Sequence, residues 1–96
     1  MQVERRIEEK LFAAFAPEQL VVQNVSHKHA HHTGTHGVPA TGETHFNVTI
    51  VSGKFKGLSR VERHSMVHEV LAEELAGPVH ALAIRAAAPG EQVDAF

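Results

Sequence analysis

The 96-residue sequence predicts one α+β domain: a three-stranded mixed sheet with its helices on one face, in the order helix, strand, strand, helix, strand. Three observations indicate this architecture. Two segments repeat apolar residues at helical spacing, and three shorter segments have the composition of strands. Apolar residues make up 43% of the chain, enough for a modest core in a single domain of residues 1–96. The segment between the second and third strands is helical, so these two strands should be parallel.

The first helix is predicted by apolar residues that recur at every fourth position and form one face: Val3, Ile7, Leu11 and Phe15. Pro17 should end this helix, because a residue before proline disfavours the helical conformation. Residues 20–25 are few and rich in valine, which is typical of a strand. Residues 26–44 have no periodicity and mix glycine and proline with histidine and threonine, which predicts a long loop. Long loops inside small domains are often functional.

Two further strands are predicted by alternating side chains. Residues 45–52 direct their apolar side chains toward the core and their polar ones, including His45, toward the opposite face. Residues 79–87 form the last strand, in which Leu82 and Ile84 face the core and small alanines face the other way. The uncovered face of the sheet is therefore predicted to be small and polar, which suits solvent or a partner. Residues 89–96 follow as a polar tail.

The second helix is predicted to run to Ala76 from a capping box, in which Ser59 is the N-cap and Glu62 stands three residues later. Gly77-Pro78 supplies the stop. The apolar positions of this helix are Val61, Val67, Val70, Leu71 and Leu75.

The composition excludes several classes of function. The chain has no cysteine, which removes disulfides, thiol catalysis and an iron–sulfur site ligated by its own thiolates. It has no nucleophile constellation and no glycine-rich phosphate loop, so the sequence does not predict an enzyme. The N-terminus lacks the apolar segment of a signal peptide, and no stretch approaches the roughly 18 apolar residues of a membrane-spanning helix. We therefore expect a cytoplasmic protein without a membrane partner.

Charge is unevenly distributed, although the net charge is −2. Residues 54–68 contain one acidic residue, Glu62, and four basic ones: Lys54, Lys56, Arg60 and Arg63. Among the charged residues of 69–96, acidic ones predominate. A basic cluster of this size is either a small surface for a polyanion or the ordinary solvated start of a helix.

Histidine is the most unusual feature of the sequence. Five histidines lie within ten residues of the predicted loop: His27, His29, His31, His32 and His36. Neutral imidazole binds zinc, copper, iron and nickel, so this run indicates a metal-binding loop. The alternative is a flexible surface loop without a function, which tolerates changes in its sequence. His80 follows the helix stop and is either an edge-of-core residue or a ligand. His64 and His68 lie four apart on the second helix, an HxxxH pair that either holds zinc or is structural. Because the glutamate of a metalloprotease motif is missing, we expect the structural role.

Five segments occur in a specific order along the chain: His36-Gly37-Val38-Pro39, Glu43-Thr44-His45-Phe46, Arg60-Val61-Glu62-Arg63-His64, Leu71-Ala72-Glu73-Glu74-Leu75 and Val79-His80-Ala81-Leu82-Ala83-Ile84. In this combination the sequence resembles the BolA family, and the resemblance extends over residues 3–88. It implies a BolA-like fold similar to a class II KH domain, which agrees with the α-β-β-α-β order predicted above.

The resemblance implies a role in iron–sulfur chemistry. BolA-like proteins pair with monothiol glutaredoxins and share a bridged [2Fe–2S] cluster, to which the partner brings a cysteine and glutathione. The family's two histidine ligands fall on His36 and His80. The loop that contains His27 to His32 is longer and richer in histidine than is usual in the family. His31 and His32 are therefore alternatives to His36 as the second ligand. The protein alone should hold no cluster and should be a non-enzymatic adaptor.

The resemblance also implies an alternative function. Some bacterial members of the family are DNA-binding regulators of morphology, envelope and stress-response genes, and double-stranded DNA would then contact Lys54, Lys56, Arg60 and Arg63. A third hypothesis is simple metal storage by residues 27–32. A weak homodimer is the remaining interaction that we expect.

Overall fold

The computed structural model describes residues 2–25 and 44–93 and shows a sheet covered on one face by helices. The elements are α1 (Gln2–Phe15), β1 (Gln19–Asn24), β2 (His45–Val51), a 3₁₀ turn (Gly53–Phe55), α2 (Arg60–Val70), α3 (Ala72–Ala76) and β3 (Ala81–Ala87). The strand order is β1-β2-β3, with β1 antiparallel and β3 parallel to β2. The predicted mixed sheet is confirmed. The predicted loop, apart from Thr44, and residues 94–96 lie outside the described residues.

The core lies between the helices and one face of the sheet. The predicted stripe of α1 is buried, with Ile7 and Leu11 fully inaccessible. The sheet contributes the following inward-facing side chains: Val22, Phe46, Val48, Ile50 and Ile84. Phe55 of the 3₁₀ turn packs against Phe15 with ring centroids 4.9 Å apart. Fully burying each large apolar side chain contributes roughly 1.5–3 kcal/mol, so the packing of the apolar face of α1 against the sheet is the main source of stability. No helix within the described ranges is long and apolar enough to span a membrane.

Two predicted boundaries are wrong. The helix predicted as continuous to Ala76 is interrupted at Leu71, whose backbone angles of φ −101° and ψ 21° lie outside the helical region. Leu71 is buried, and its carbonyl still accepts the amide of Leu75 at 2.9 Å, so the interruption leaves this carbonyl satisfied. The last strand starts at Ala81, because the amide of Val79 is still bonded to the carbonyl of Glu74 at 2.9 Å in the turn after α3.

Val61 does not belong to the apolar face of α2. It is 73% exposed, whereas Val67 is fully buried. Six residues of helix correspond to about 240° of net rotation, so the two side chains lie on different faces. The capping box itself is confirmed: the Ser59 hydroxyl accepts from the amide of Glu62 at 3.1 Å, and the Glu62 carboxylate accepts from the amide of Ser59 at 2.8 Å.

Glu74 connects α3 to α1 through a buried carboxylate. Its side chain is 1% exposed and accepts hydrogen bonds from Arg6 and from Lys10, each at 3.0 Å. Lys10 also contacts the exposed carboxylate of Glu73 at 2.8 Å. Because the Glu74 carbonyl accepts the amide of Val79, this residue also fixes the turn that leads into His80.

Candidate functional site

His80 is an exposed side chain on a fixed backbone. Its amide donates to the carbonyl of Thr44 at 2.8 Å, and the amide of Ala81 donates to the same carbonyl at 3.2 Å. These bonds extend the parallel pairing of β2 and β3 to the residues that directly precede the two strands. The interpretation of His80 as an edge-of-core residue is therefore wrong, since the side chain is exposed to any partner that approaches this end of the sheet.

His45 lies beside His80, which the sequence patterns did not indicate. The two rings are nearly parallel, with an interplanar angle of 17° and centroids 6.5 Å apart. The register explains the proximity, because His45 pairs with Ala81 and His80 directly precedes Ala81. The hydroxyl of Thr44 lies 2.8 Å from Nδ1 of His45. In metal sites, a hydrogen bond to one ring nitrogen orients the imidazole and fixes its tautomer.

A shallow pocket of about 270 Å³ adjoins this histidine pair at the same end of the sheet. The residues that line it are Val25, His45, Phe46, Asn47, Ala81, Leu82 and Ala83. Ala81 and Ala83 are small and exposed, as predicted for the uncovered face. Among the described residues, the side chains of Ala81 and Ala83 beside this histidine pair leave room for a partner.

Two imidazoles alone supply too few ligands for a complete metal site. Within residues 2–25 and 44–93, no group of three or more histidine, cysteine, aspartate or glutamate side chains is placed to hold a metal ion. The predicted second ligand His36 and its substitutes His31 and His32 lie outside the described residues. A site built on His80 thus takes its other ligands from residues 26–43 or from a partner.

His64 has a structural position between α2 and β3. Burial lowers the pKa of the half-buried His64 imidazole, and its electrostatic interactions with His68, Arg60 and Arg85 lower it further. A hydrogen bond to the backbone of Ile84 acts in the opposite direction. The balance favours a neutral ring at neutral pH that links α2 to β3, which agrees with the structural interpretation of the HxxxH pair.

The four predicted basic residues have two different environments. Three are exposed: Lys54, Lys56 and Arg60. The fourth, Arg63, is half-buried and donates two hydrogen bonds to the Glu91 carboxylate, at 2.7 and 3.0 Å. These bonds, with one from the amide of Ala88, lower the pKa of Glu91 to about 2. Glu91 is therefore ionised at neutral pH and neutralises the charge of Arg63.

A polar groove of about 450 Å³ separates α2 from the outer edge of β3. Arg60, Arg63 and His64 line it from the helix, and Arg85 lines it from the strand. The sequence placed Arg85 in an acidic region, so this contribution to a basic surface was missed. Only the tertiary structure shows that Arg85, more than twenty positions away, shares the groove with the start of α2.

A family model described as BolA-like protein matches residues 11–91 of this chain. Among curated relatives, BolA-like protein 1 of Mus musculus is 52% identical over 89 residues, which are 93% of this chain and 60% of the relative. The chain thus spans about three-fifths of the length of this relative.

Solved structures show the same architecture. BolA1 from Arabidopsis thaliana has a TM-score of 0.81 and 44% identity, and the match covers 93% of this chain and 94% of that one. The BolA domain of SufE1 from Arabidopsis thaliana has a TM-score of 0.79 and 42% identity, with the same coverage of both chains. The match to an isolated domain of a longer protein shows that this fold also occurs as one part of a larger chain.

Proposed function

This chain belongs to the BolA family, and from that premise we propose that it is a non-enzymatic adaptor that pairs with a monothiol glutaredoxin and shares a [2Fe–2S] cluster with it. The observation that supports this proposal most is the position of His80. Its backbone is held by Thr44, its ring is exposed, and a second imidazole lies beside it. An exposed, oriented imidazole is what a shared site requires from one of its two proteins.

The histidines of this chain fit two of the four ligand positions of such a cluster. A [2Fe–2S] cluster has four protein or thiol ligands, and two histidines replace two cysteines in one known class. This chain has nine histidines and no cysteine, so thiolate ligands must come from the partner. His80 is the first proposed ligand, and His36 is the second, with His31 or His32 as its substitute. The cluster would supply one-electron redox chemistry at a potential that imidazole ligands raise.

Reconstitution tests this proposal directly. The protein, a monothiol glutaredoxin, glutathione, ferrous iron and sulfide are mixed without oxygen and separated by size-exclusion chromatography. We expect a one-to-one complex with visible absorbance from the cluster, and no such absorbance when the protein is treated alone. Colourless elution of the protein apart from a coloured glutaredoxin would contradict the proposal.

His45 should help to position His80 in the complex. We expect His45→Ala to leave pairing with glutaredoxin unchanged but to increase the rate of cluster loss several-fold, since outer groups of metal sites contribute about tenfold or more to affinity. Decay of the visible circular dichroism measures this rate. Asn47→Ala, on the same face of β2, is the matched control and should decay like the unmodified protein. Equal decay for all three proteins would exclude a role for His45.

DNA binding is a second candidate function, supported by the groove between α2 and β3. Arg60 and Arg85 bring positive charge to this groove from two elements. The structure shifts the proposed contacts, because Arg63 is already paired with Glu91. We therefore propose that Lys54, Lys56 and Arg60 contribute more to a duplex contact than Arg63 does, and that Arg85 contributes from the strand side of the groove.

The salt dependence of duplex binding tests this second candidate. Each phosphate contact that is lost should reduce the slope of log K against log salt by about 1. We expect that reduction for Arg60→Ala and for Arg85→Ala. Arg5→Ala removes the same charge from the exposed face of α1 and should leave the slope unchanged. The same slope for all three variants and the unmodified protein would exclude the groove as a DNA-binding surface.

A further inference from the structure

The C-terminal half of α1 and the start of β1 enclose an open groove of about 560 Å³. Phe12 lies in this groove and is 64% exposed, one of three large apolar side chains that are exposed within the described ranges. The buried stripe of α1 is complete without it, because Leu11 and Phe15 already face the core. Phe12 is about 100° away from Leu11 around the helix. The packing of the domain therefore gives no reason for an aromatic residue at this position.

The rim of the groove is acidic. Glu8 and Glu9 precede Phe12 by four and three positions, so they lie beside it on the helix surface, and Glu18 approaches from the start of β1. All three carboxylates are on exposed residues, and no lysine or arginine lines the groove. The last turn of α1 has no basic residue either, and the negative end of the helix dipole adds to the same potential.

The backbone adds a further acceptor at this place. Proline at position 17 has no N–H, so the carbonyl of Ala13 lacks the partner four residues on that a helix normally supplies. The neighbouring carbonyls are satisfied: Ser52 donates to Phe15 at 2.7 Å, and Lys54 donates to Ala14 at 3.0 Å. Ala13 lines the groove, so we expect its carbonyl to be within reach of a donor that enters there.

We propose that this groove is a docking site for a partner protein segment that presents arginine next to an apolar residue. Arginine is the side chain that combines the required properties. Its planar cation stacks on an aromatic face such as that of Phe12, and its five N–H groups bond carboxylates and carbonyls together. The apolar neighbour would cover Leu20 and Pro17, which are half-buried in the groove floor.

This docking site lies at the end of the sheet opposite the two histidines. Leu20 pairs with Ile50, and the amide of Glu18 donates to the carbonyl of Val51, so the groove lies at the C-terminal end of β2. His45 is the first residue of β2. Six residues of extended strand separate these ends by roughly 20 Å. A protein bound at Phe12 would therefore not cover His45 and His80, and one copy of this chain can hold two partners at once. The docking site does not depend on the cluster proposal.

Nuclear magnetic resonance titration of the full chain tests this site. The probe is a synthetic heptapeptide of alternating leucine and arginine, and a peptide with glutamate in place of arginine is its control. We expect amide shifts confined to the groove, about fivefold weaker binding for Phe12→Ala, and about tenfold weaker binding when Glu8, Glu9 and Glu18 are changed to glutamine. Val61→Ala removes an equally exposed apolar side chain elsewhere and should bind the peptide normally.

Three results with the peptides would overturn the proposal. They are amide shifts outside the groove, equal binding of the glutamate peptide, and Phe12→Ala binding like the unmodified protein while it remains folded by its thermal midpoint. Shifts at Phe12 that depend on protein concentration without peptide would also overturn it, because a second copy of this chain would then be the occupant. Peptide binding that is weakened in both groove variants and unchanged in Val61→Ala would establish the site.

Discussion

His80→Ala should pair with glutaredoxin but retain the shared cluster at least about tenfold less well than the unmodified protein. Loss of an outer group in a metal site already costs about 10–100-fold, and loss of a ligand should cost no less. The side chain is exposed, so the fold should be affected by no more than about 0.5 kcal/mol. Visible circular dichroism of the heterodimer, with the thermal midpoint of the variant alone, measures both effects.

Two matched variants make the His80 experiment specific. His68→Ala removes an exposed histidine from α2 and should leave the cluster spectrum unchanged. His80→Cys replaces the imidazole by a thiolate, so it should restore cluster retention and lower the reduction potential. A His80→Ala heterodimer with the spectrum and the stability of the unmodified complex would exclude His80 as a ligand.

Glu74→Ala should reduce the free energy of unfolding by about 2 kcal/mol. The carboxylate is buried and receives hydrogen bonds from two cations, and charged hydrogen bonds contribute about 1.5–3 kcal/mol each. Arg6 and Lys10 can turn to solvent after the substitution, which keeps the cost below that of a fully buried broken pair. For a domain of this size the thermal midpoint should fall by about 8–16 °C. Calorimetry measures this change.

The Glu74 contribution should depend on pH in one direction. Burial alone would raise the pKa of the Glu74 carboxyl, but hydrogen bonds from Lys10 and its own amide, with the charges of Lys10 and Arg6, lower it overall. The stabilisation is therefore complete above the ordinary carboxyl pKa of about 4.3 and is lost as the pH falls through the lower folded value. The difference between Glu74→Ala and the unmodified protein should shrink below about pH 4.

Glu73→Ala is the control for Glu74→Ala. Glu73 binds the same lysine, but its side chain is 80% exposed, so its removal should change the unfolding free energy little. Equal effects of the two substitutions would show that Glu74 does not connect α1 to α3.

Local patterns in the sequence were sufficient to predict most of the fold. The four-residue period of α1 and the alternation of β2 each depend on residues close in sequence, and both describe how one element meets the core. The break at Leu71 was not predictable in this way, because it changes the backbone of one residue without interrupting the apolar pattern. Val61 was assigned to the core because valine is apolar, but its position around the helix places it on the exposed face of α2.

The candidate site depends on contacts between distant residues, which local patterns do not contain. The proximity of His45 to His80 follows from the parallel register of β2 and β3, and a shift of one residue would separate the rings. The pairing of Arg63 with Glu91 likewise joins residues 28 positions apart. The resemblance to BolA-like proteins was the reason to propose His80 as a ligand, and the structure shows the imidazole of His45 beside it.

The most direct test of the cluster proposal is electron paramagnetic resonance of the reduced heterodimer, in which only the histidines of this chain carry ¹⁵N. If His80 is a ligand, pulsed spectra should show strong nitrogen couplings that change from ¹⁴N to ¹⁵N with this label. One such coupling should disappear in His80→Ala. Identical spectra from labelled and unlabelled heterodimers would contradict the proposal, because no imidazole of this chain would then bind the iron.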